Sequence, residues 1–143
     1  ILIVTDKNIE VIKNKIPNFL KKNTKIIKFY KNNNFSEKLY RKSDILINTS
    51  IYEGFPNVIA EAINYRCLII TSDSFGGKDD LINNEKYGFI YKTKNFNELS
   101  KKITFAVKNF KKCKNKINLA KKNLIHISKK NNFEYIDFFR KNF

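Results

Sequence analysis

Tyr52-Glu53-Gly54-Phe55-Pro56-Asn57-Val58-Ile59-Ala60-Glu61-Ala62 sets two glutamates on either side of seven residues, with a glycine and a proline just after the first. Before it, Asp44-Ile-Leu-Ile-Asn48 is apolar and β-branched enough for a buried strand. Gly54 supplies the backbone freedom of a sharp turn. Pro56 suits a first helical turn, where its missing N–H costs nothing. Val58, Ile59, Ala62 and Ile63 then fall at helical spacing for packing on a sheet. The stretch therefore predicts strand, tight loop and helix N-terminus in succession, the joint of a βαβ unit.

That geometry separates the work of the two carboxylates. Glu53 lies in the loop at the carboxyl end of the strand, and Glu61 about one turn inside the helix, looking over the same crevice. Between them the unpaired amides of residues 54–58 favour an anion. Acceptors flanking a nest of donors suit a ligand with hydroxyls at both ends and phosphate in the middle, as in a nucleotide sugar.

Outward from this joint the chain alternates strands and helices. Ile1 to Val4, Lys25 to Tyr30, Cys67 to Thr71 and Gly88 to Tyr91 read as strands. Ile9, Ile12, Ile16, Phe19 and Leu20 mark one helical face, with Pro17 inside it. Asn32 to Asn34 reads as a loop, with Ser36 and Glu37 opening a short helix through Lys42. Residues 78–83 predict a short helix after the loop Ser72 to Gly77. Asn95 and Asn97 both qualify as caps of a helix running to about Lys108, and another helix is expected from Lys114. The tail from Phe133 to Phe143 is an aromatic cluster, either capping this domain's own core or docking on something else. The expected architecture is α/β: a Rossmann-like open parallel sheet with helices on both faces.

Composition bounds the rest. At 143 residues with 42% hydrophobic content the chain can build one domain with its own core. Ile1-Leu-Ile-Val4 opens on a buried-strand pattern, so residues 1–143 are expected to be part of a longer protein. The net charge of +16 raises the thought of a polyanionic partner. The excess is almost all lysine scattered among Asn and Ile, however, and only Arg41, Arg66 and Arg140 offer a guanidinium. Nucleic acid is therefore not expected as a partner, and an anionic membrane surface is the better candidate for a peripheral contact. Cys67 and Cys113 lack metal-ligand spacing and read as thiols of a reducing cytosol. The one histidine, His126, reads as a helix-face residue, which disfavours a Ser-His-Asp or Cys-His apparatus. There is no G-x-G-x-x-G and no D-x-D. No cofactor, metal ligand or catalytic residue is assigned.

Glu53 to Glu61 resembles the E-x7-E signature of retaining GT-B glycosyltransferases of the family 4, or group 1, type. Leu39-Tyr40-Arg41-Lys42-Ser43-Asp44 with Ser50 resembles that family's approach to the motif. Gly76-Gly77-Lys78-Asp79-Asp80-Leu81-Ile82 and Gly88-Phe89-Ile90 resemble its continuation, so the ordered set covers most of residues 1–110. Tyr65-Arg66-Cys67-Leu68 departs from the family, which often has a Gly and a Pro there.

The resemblance implies that residues 1–143 are the nucleotide-sugar-binding C-terminal half of a GT-B enzyme, with the N-terminal acceptor domain and the first strand of this half lying outside the chain. Glu53 would hold donor-sugar hydroxyls and Glu61 the nucleotide ribose. The backbone at Gly54, Phe55, Pro56, Asn57 and Val58 would meet sugar and phosphate, and the turn after Phe29-Tyr30 the base. It implies metal-independent, retaining hexosyl transfer from a UDP-sugar to a glycan or lipid-linked acceptor in surface polysaccharide or glycoconjugate synthesis. An Arg and a Lys upstream of Ile1 would steady the leaving diphosphate. Lys78 could reach phosphate but reads more simply as a solvent-facing lysine. A cytoplasmic location follows, with room for contact at the inner face of the membrane, and the isolated chain is expected to be inactive. Two rivals remain open. One is a non-catalytic Rossmann-like module that binds anionic membrane or nucleic acid through its lysines; the other is a degenerate transferase half kept for assembly.

Overall fold

The computed structural model describes residues 2–5, 25–28, 33–51, 57–73 and 78–130, together with single positions 10, 14 and 18; side chains are described within 37–51, 57–73 and 80–129 and at the three single positions. The chain divides into two compact units, Ile1–Ser36 and Glu37–Phe143. In the first, strands β1 (Leu2–Thr5) and β2 (Lys25–Lys28) pair in parallel, Leu2 opposite Lys25 and Thr5 opposite Lys28. Glu10, Asn14 and Asn18 are helical and exposed at intervals of four, as the polar face of the expected helix requires. Phe29, Tyr30 and the apolar face of that helix lie outside the described residues.

The second unit holds a parallel sheet in the order β3 (Ile45–Asn48), β4 (Leu68–Ser72), β5 (Phe89–Tyr91). Ile45 is opposite Leu68, and Ile70 opposite Phe89. Parallel neighbours need crossovers, and helices supply them. Helix α1 (Asn33–Arg41) precedes β3, α2 (Asn57–Asn64) joins β3 to β4, and the single turn α3 (Lys78–Leu81) lies between β4 and β5. Helices α4 (Phe96–Lys108) and α5 (Phe110–Lys130) follow.

Strand side chains alternate, and the core divides accordingly. Ile69, with Leu46 and Ile90, faces Ile59, Ala60, Ala62 and Ile63 of α2, Leu81 of α3, and Ala120 and Leu124 of α5. Leu68 and Ile70, with Ile45, Phe89 and Tyr91, face Leu99, Ile103 and Ala106 of α4 and Phe110, Cys113 and Ile117 of α5. Both faces of this sheet are thus covered by helices, as expected. All five residues of β4 are buried. Burying Leu68, Ile69 and Ile70 stabilises the fold by about 2 kcal/mol each. The early part of α5 serves one core and its later part the other, so this helix passes the amino end of β4 from face to face.

Several boundaries differ from expectation. Helix α5 begins at Phe110, not Lys114, because Phe110, Cys113 and Ile117 form one buried stripe while the intervening lysines point outward. Helix α3 ends at Leu81 and not at residue 83, since Asn83, Asn84 and Glu85 take left-handed φ values of 44°, 47° and 68°. Helix α1 starts at Asn33, taking in two asparagines read as loop. Helix α4 begins after Asn95, whose side chain accepts the Glu98 N–H at 3.0 Å; of the two caps proposed, this one is used. Helix α2 ends in a Schellman motif, with Arg66 N–H on Ile63 O at 3.0 Å and Cys67 N–H on Ala62 O at 2.9 Å. The left-handed residue of that motif is Arg66, φ 62°, where glycine is usual. The aromatic tail from Phe133 lies outside the described residues.

Candidate functional site

In an open parallel sheet, ligands gather at the carboxyl ends of the strands. Here those ends are tied together by polar side chains. Asn48 closes β3 and is buried, and its Oδ1 accepts the Ser50 N–H at 3.1 Å. The Ser72 hydroxyl, at the end of β4, donates to Ser50 O at 2.6 Å. The Tyr91 hydroxyl, from β5, donates to Asn48 O at 3.4 Å, and Asp73 N–H donates to Tyr91 O at 2.9 Å. Asp73 Oδ1 in turn accepts Thr93 N–H at 2.8 Å and Thr93 Oγ1–H at 2.6 Å. Buried polar groups must be partnered, and here their partners belong to neighbouring strands. The result is a cross-linked platform at the ends of the three strands, reaching as far as Ser50.

Helix α2 follows in sequence. Asn57 and Val58 form its first turn, whose N–H groups have no acceptor within the helix and present the positive end of its dipole. Asn57 is exposed and Val58 partly buried. One turn on, Glu61 is half-buried between the buried neighbours Ala60 and Ala62. The Tyr40 hydroxyl, from α1, donates to its carboxylate. Burial pushes the Glu61 carboxyl above its ordinary range, and the hydrogen bond from Tyr40 pulls part of the way back. Burial, then the Glu61 charge, raises the Tyr40 phenol far above neutrality, so it remains a donor.

The Tyr40 ring is itself fixed. It stacks on Tyr65 with centroids 5.8 Å apart and planes 12° apart, and the Arg41 guanidinium lies 5.1 Å from the Tyr65 ring centre. Arg41 Nε meets Glu37 Oε1 at 2.6 Å. Glu61 thus receives a donor held by a short aromatic stack, which leaves acceptor capacity on the carboxylate for a ligand hydroxyl.

Of the residues singled out in sequence, Asn57, Val58 and Glu61 share α2. Glu53, Gly54, Phe55 and Pro56 lie outside the described residues, as does the side chain of Lys78. Sequence reasoning assigned no role to Tyr40, although it stands in the Leu39-Tyr40 pair quoted for the resemblance. It also missed Asn48, Ser72, Asp73 and Tyr91, whose one shared signal is a polar group at or next to the last residue of a strand. Both thiols are buried. Cys67, 3.2 Å from Ser43 O, is pushed up to about 11 by burial and by Asp44, and burial likewise raises Cys113. Neither is poised as a nucleophile. His126 is exposed on α5. Among the described residues, no group of three or more His, Cys, Asp or Glu is placed to hold a metal ion, and no helix is long and apolar enough to cross a membrane.

The family model described as glycosyl transferases group 1 matches residues 2–123. The chain belongs to that family. Its fold is shared with the C-terminal domain of a glycosyl transferase group 1 family protein from Francisella tularensis, at 24% identity and a TM-score of 0.64 over 76% of this chain. A glycosyltransferase from Rickettsia africae ESF-5 aligns over 99% of the chain, at 25% identity and a TM-score of 0.68. The group 1 chain described here spans 55% of the first of these proteins and 37% of the second. None of the curated proteins matches it. The family match takes in α2 and the strand ends, so the platform and Glu61 lie within the matched part of this group 1 domain.

Proposed function

We propose that the chain is the donor-binding half of a GT-B glycosyltransferase of the retaining family 4 type, and that the whole enzyme moves a sugar from a nucleotide sugar to a hydroxyl of a glycan or lipid-linked acceptor. The observation that carries this is Glu61, half-buried one turn inside α2, with the Tyr40 hydroxyl on its carboxylate and the first-turn amides of Asn57 and Val58 beside it. A carboxylate accepts hydrogen bonds from a vicinal diol, and a helix N-terminus stabilises phosphate. A ribose diphosphate presents both groups at about the separation of one helical turn. In this reading Glu61 holds the ribose, Glu53 the donor-sugar hydroxyls, and the backbone from Gly54 to Val58 the sugar and phosphate.

The donor is a UDP-sugar and the acceptor is chosen by an N-terminal domain beyond this chain. Transfer is of a hexose, retaining and metal-independent, in synthesis of a surface polysaccharide or glycoconjugate at the cytoplasmic face of a membrane. Metal independence rests on the sequence, which has no D-x-D, so fixed cations and helix dipoles must stabilise the leaving diphosphate. The Arg and Lys for that task stand upstream of Ile1, and the 143 residues alone bind donor weakly without turnover.

The test is an amide NMR titration with UDP at moderate salt, repeated with Glu61→Ala. Saturable shifts clustered at residues 50–61 and lost in the variant are expected. Shifts scattered over the lysines, suppressed by salt and unchanged in Glu61→Ala, would replace this reading with a polyanion-binding one.

A further inference from the structure

At the opposite end of the sheet lies a groove of about 370 Å³, lined by Arg66, Asn118, Lys121, Lys122 and Ile125 among others. Arg66 stands two residues before β4 begins, so this groove is at the amino ends of the strands. The length of β4 sets it roughly 16 Å from the platform around Asn48 and Ser72. Two of its three cations are held by neutral oxygens. Arg66 Nη1 donates to Asn118 Oδ1 at 3.0 Å; Lys121 Nζ donates to Asn64 O at 3.1 Å and also to Asn64 Oδ1. Amide oxygens satisfy the hydrogen bonds and leave the charge in place. None of the lining residues is acidic. Lys121 is partly buried, and burial together with the nearby Arg66 charge holds its ammonium below the usual lysine range.

A second observation concerns the backbone. Arg66 occupies the left-handed position of the Schellman motif, which costs an L residue energy that glycine avoids. Strain retained at such a place is a pointer to function. What the strain delivers is the guanidinium, carried to the same groove as Lys121 and Lys122. Two mutually repelling cations with a third lysine at one concavity are relieved by a multivalent anion, and a guanidinium fork matches phosphate oxygens two at a time.

We infer that the groove formed by Arg66, Asn118, Lys121 and Lys122 is a phosphate-binding site, independent of the donor site, that takes a phosphomonoester or diphosphate, free or carried on a lipid headgroup. Its volume admits one such group and is open enough for the rest of a larger molecule to remain outside. Ile125, 39% exposed at the groove, offers an apolar contact to whatever carries the phosphate.

The test uses the 143-residue chain with inorganic pyrophosphate at fixed ionic strength, followed by amide NMR. Arg66→Gly removes the guanidinium while relieving the backbone, so loss of the fold does not confuse the result. Saturable shifts at Arg66, Asn118, Lys121 and Lys122 are expected, with affinity at least tenfold lower in Arg66→Gly and Lys121→Gln and unchanged in Lys114→Gln, an exposed lysine outside the groove. Equal loss in Lys114→Gln, or no saturable binding, overturns the proposal by reducing the groove to diffuse positive charge. Vesicle sedimentation separates the two sources. Binding to phosphatidic acid vesicles and not to phosphatidylcholine, competed by pyrophosphate and lost in Arg66→Gly, assigns a lipid headgroup. Pyrophosphate binding without vesicle binding assigns a free phosphate.

Discussion

Replacing Tyr40 by phenylalanine removes one hydroxyl and leaves the ring that stacks on Tyr65. The lost contact is the hydrogen bond to the half-buried Glu61 carboxylate. A hydrogen bond to a charged group contributes about 1.5–3 kcal/mol. Glu61 is partly solvated and water can replace the hydroxyl, so the discounted expectation is about 1 kcal/mol at pH 7. The sign of the pH dependence follows from linkage. Burial raises the folded-state pKa of Glu61, so the proton is held more tightly in the native state than in the unfolded one. This group therefore favours the fold at low pH, and that contribution fades as pH rises through the raised pKa. Tyr40 limits the rise by binding the charged form; without its hydroxyl the folded pKa climbs further and the loss on ionisation grows. Urea denaturation of both proteins at pH 4 and pH 7 measures this. The deficit of Tyr40→Phe is expected near 1 kcal/mol at pH 7 and at under half of that at pH 4. An identical deficit at both pH values would refute the reasoning, since it would mean that the hydroxyl does not bear on the charge of Glu61. The same variant is expected to weaken UDP binding several-fold.

Two further substitutions probe the frame that carries the site. At Gly88 an added methyl would sit 2.9 Å from Ile69 O, 3.2 Å from Ile82 Cδ1 and 3.3 Å from Ile69 Cβ, and the carbonyl cannot give way without moving β4. Gly88→Ala is expected to cost about 1–3 kcal/mol, read as a fall in thermal midpoint; a wild-type midpoint would show that β5 shifts freely. Glu85 accepts Ile90 N–H at 2.9 Å and pairs with Lys102. Burial pushes its pKa up, but the hydrogen bonds from Lys102 and Ile90 and the charges of Lys102 and Lys116 outweigh it, leaving a net depression. Its stabilisation is present above the unfolded-state pKa and is lost as pH falls through the lower folded value. Glu85→Gln should therefore lose about 1 kcal/mol at pH 7 after allowing for solvent screening, with the gap closing towards pH 3 in parallel denaturation curves; a constant gap would assign the effect to shape instead of charge.

The order of strands and helices was legible because apolar runs and caps are local signals. The run at Ile45-Leu46-Ile47, the capping Asn95 and the stripe of α4 each report on a few neighbouring residues, and each lies where the sequence placed it. Ends were less legible where the deciding contact is distant. The start of α5 depends on Phe110 and Cys113 meeting Leu68 and Ile70 across the sheet, which no local window contains. The site divides in the same way. Glu61 was marked by its spacing from Glu53, but its donor Tyr40 lies on another helix and is joined to it only by folding. Asn48, Ser72 and Tyr91 are unremarkable residue types; their meaning comes from three parallel strands ending side by side.

The placement of polar chemistry in the second unit follows from a simple constraint. Both faces of the β3-β4-β5 sheet are sealed by apolar helix stripes, so a buried polar group there would have no partner and cost several kcal/mol. Only the strand ends remain, where backbone groups pass out of the ladder and polar side chains can meet them. The carboxyl ends hold Asn48, Ser72 and Asp73 with the α2 amides nearby, a set rich in acceptors and neutral donors. The amino end of β4 holds Arg66 and Lys121, a set of cations steadied by amide oxygens. Arg66 joins the two ends physically, because the Schellman turn that positions it also sets where β4 begins, and hence where Ser72 falls beneath Ser50. A glycine in its place would preserve that turn, so the strand-end hydrogen bonds and UDP binding should survive Arg66→Gly while phosphate binding at the groove does not. Loss of both together would mean that the arginine serves the fold and not a ligand.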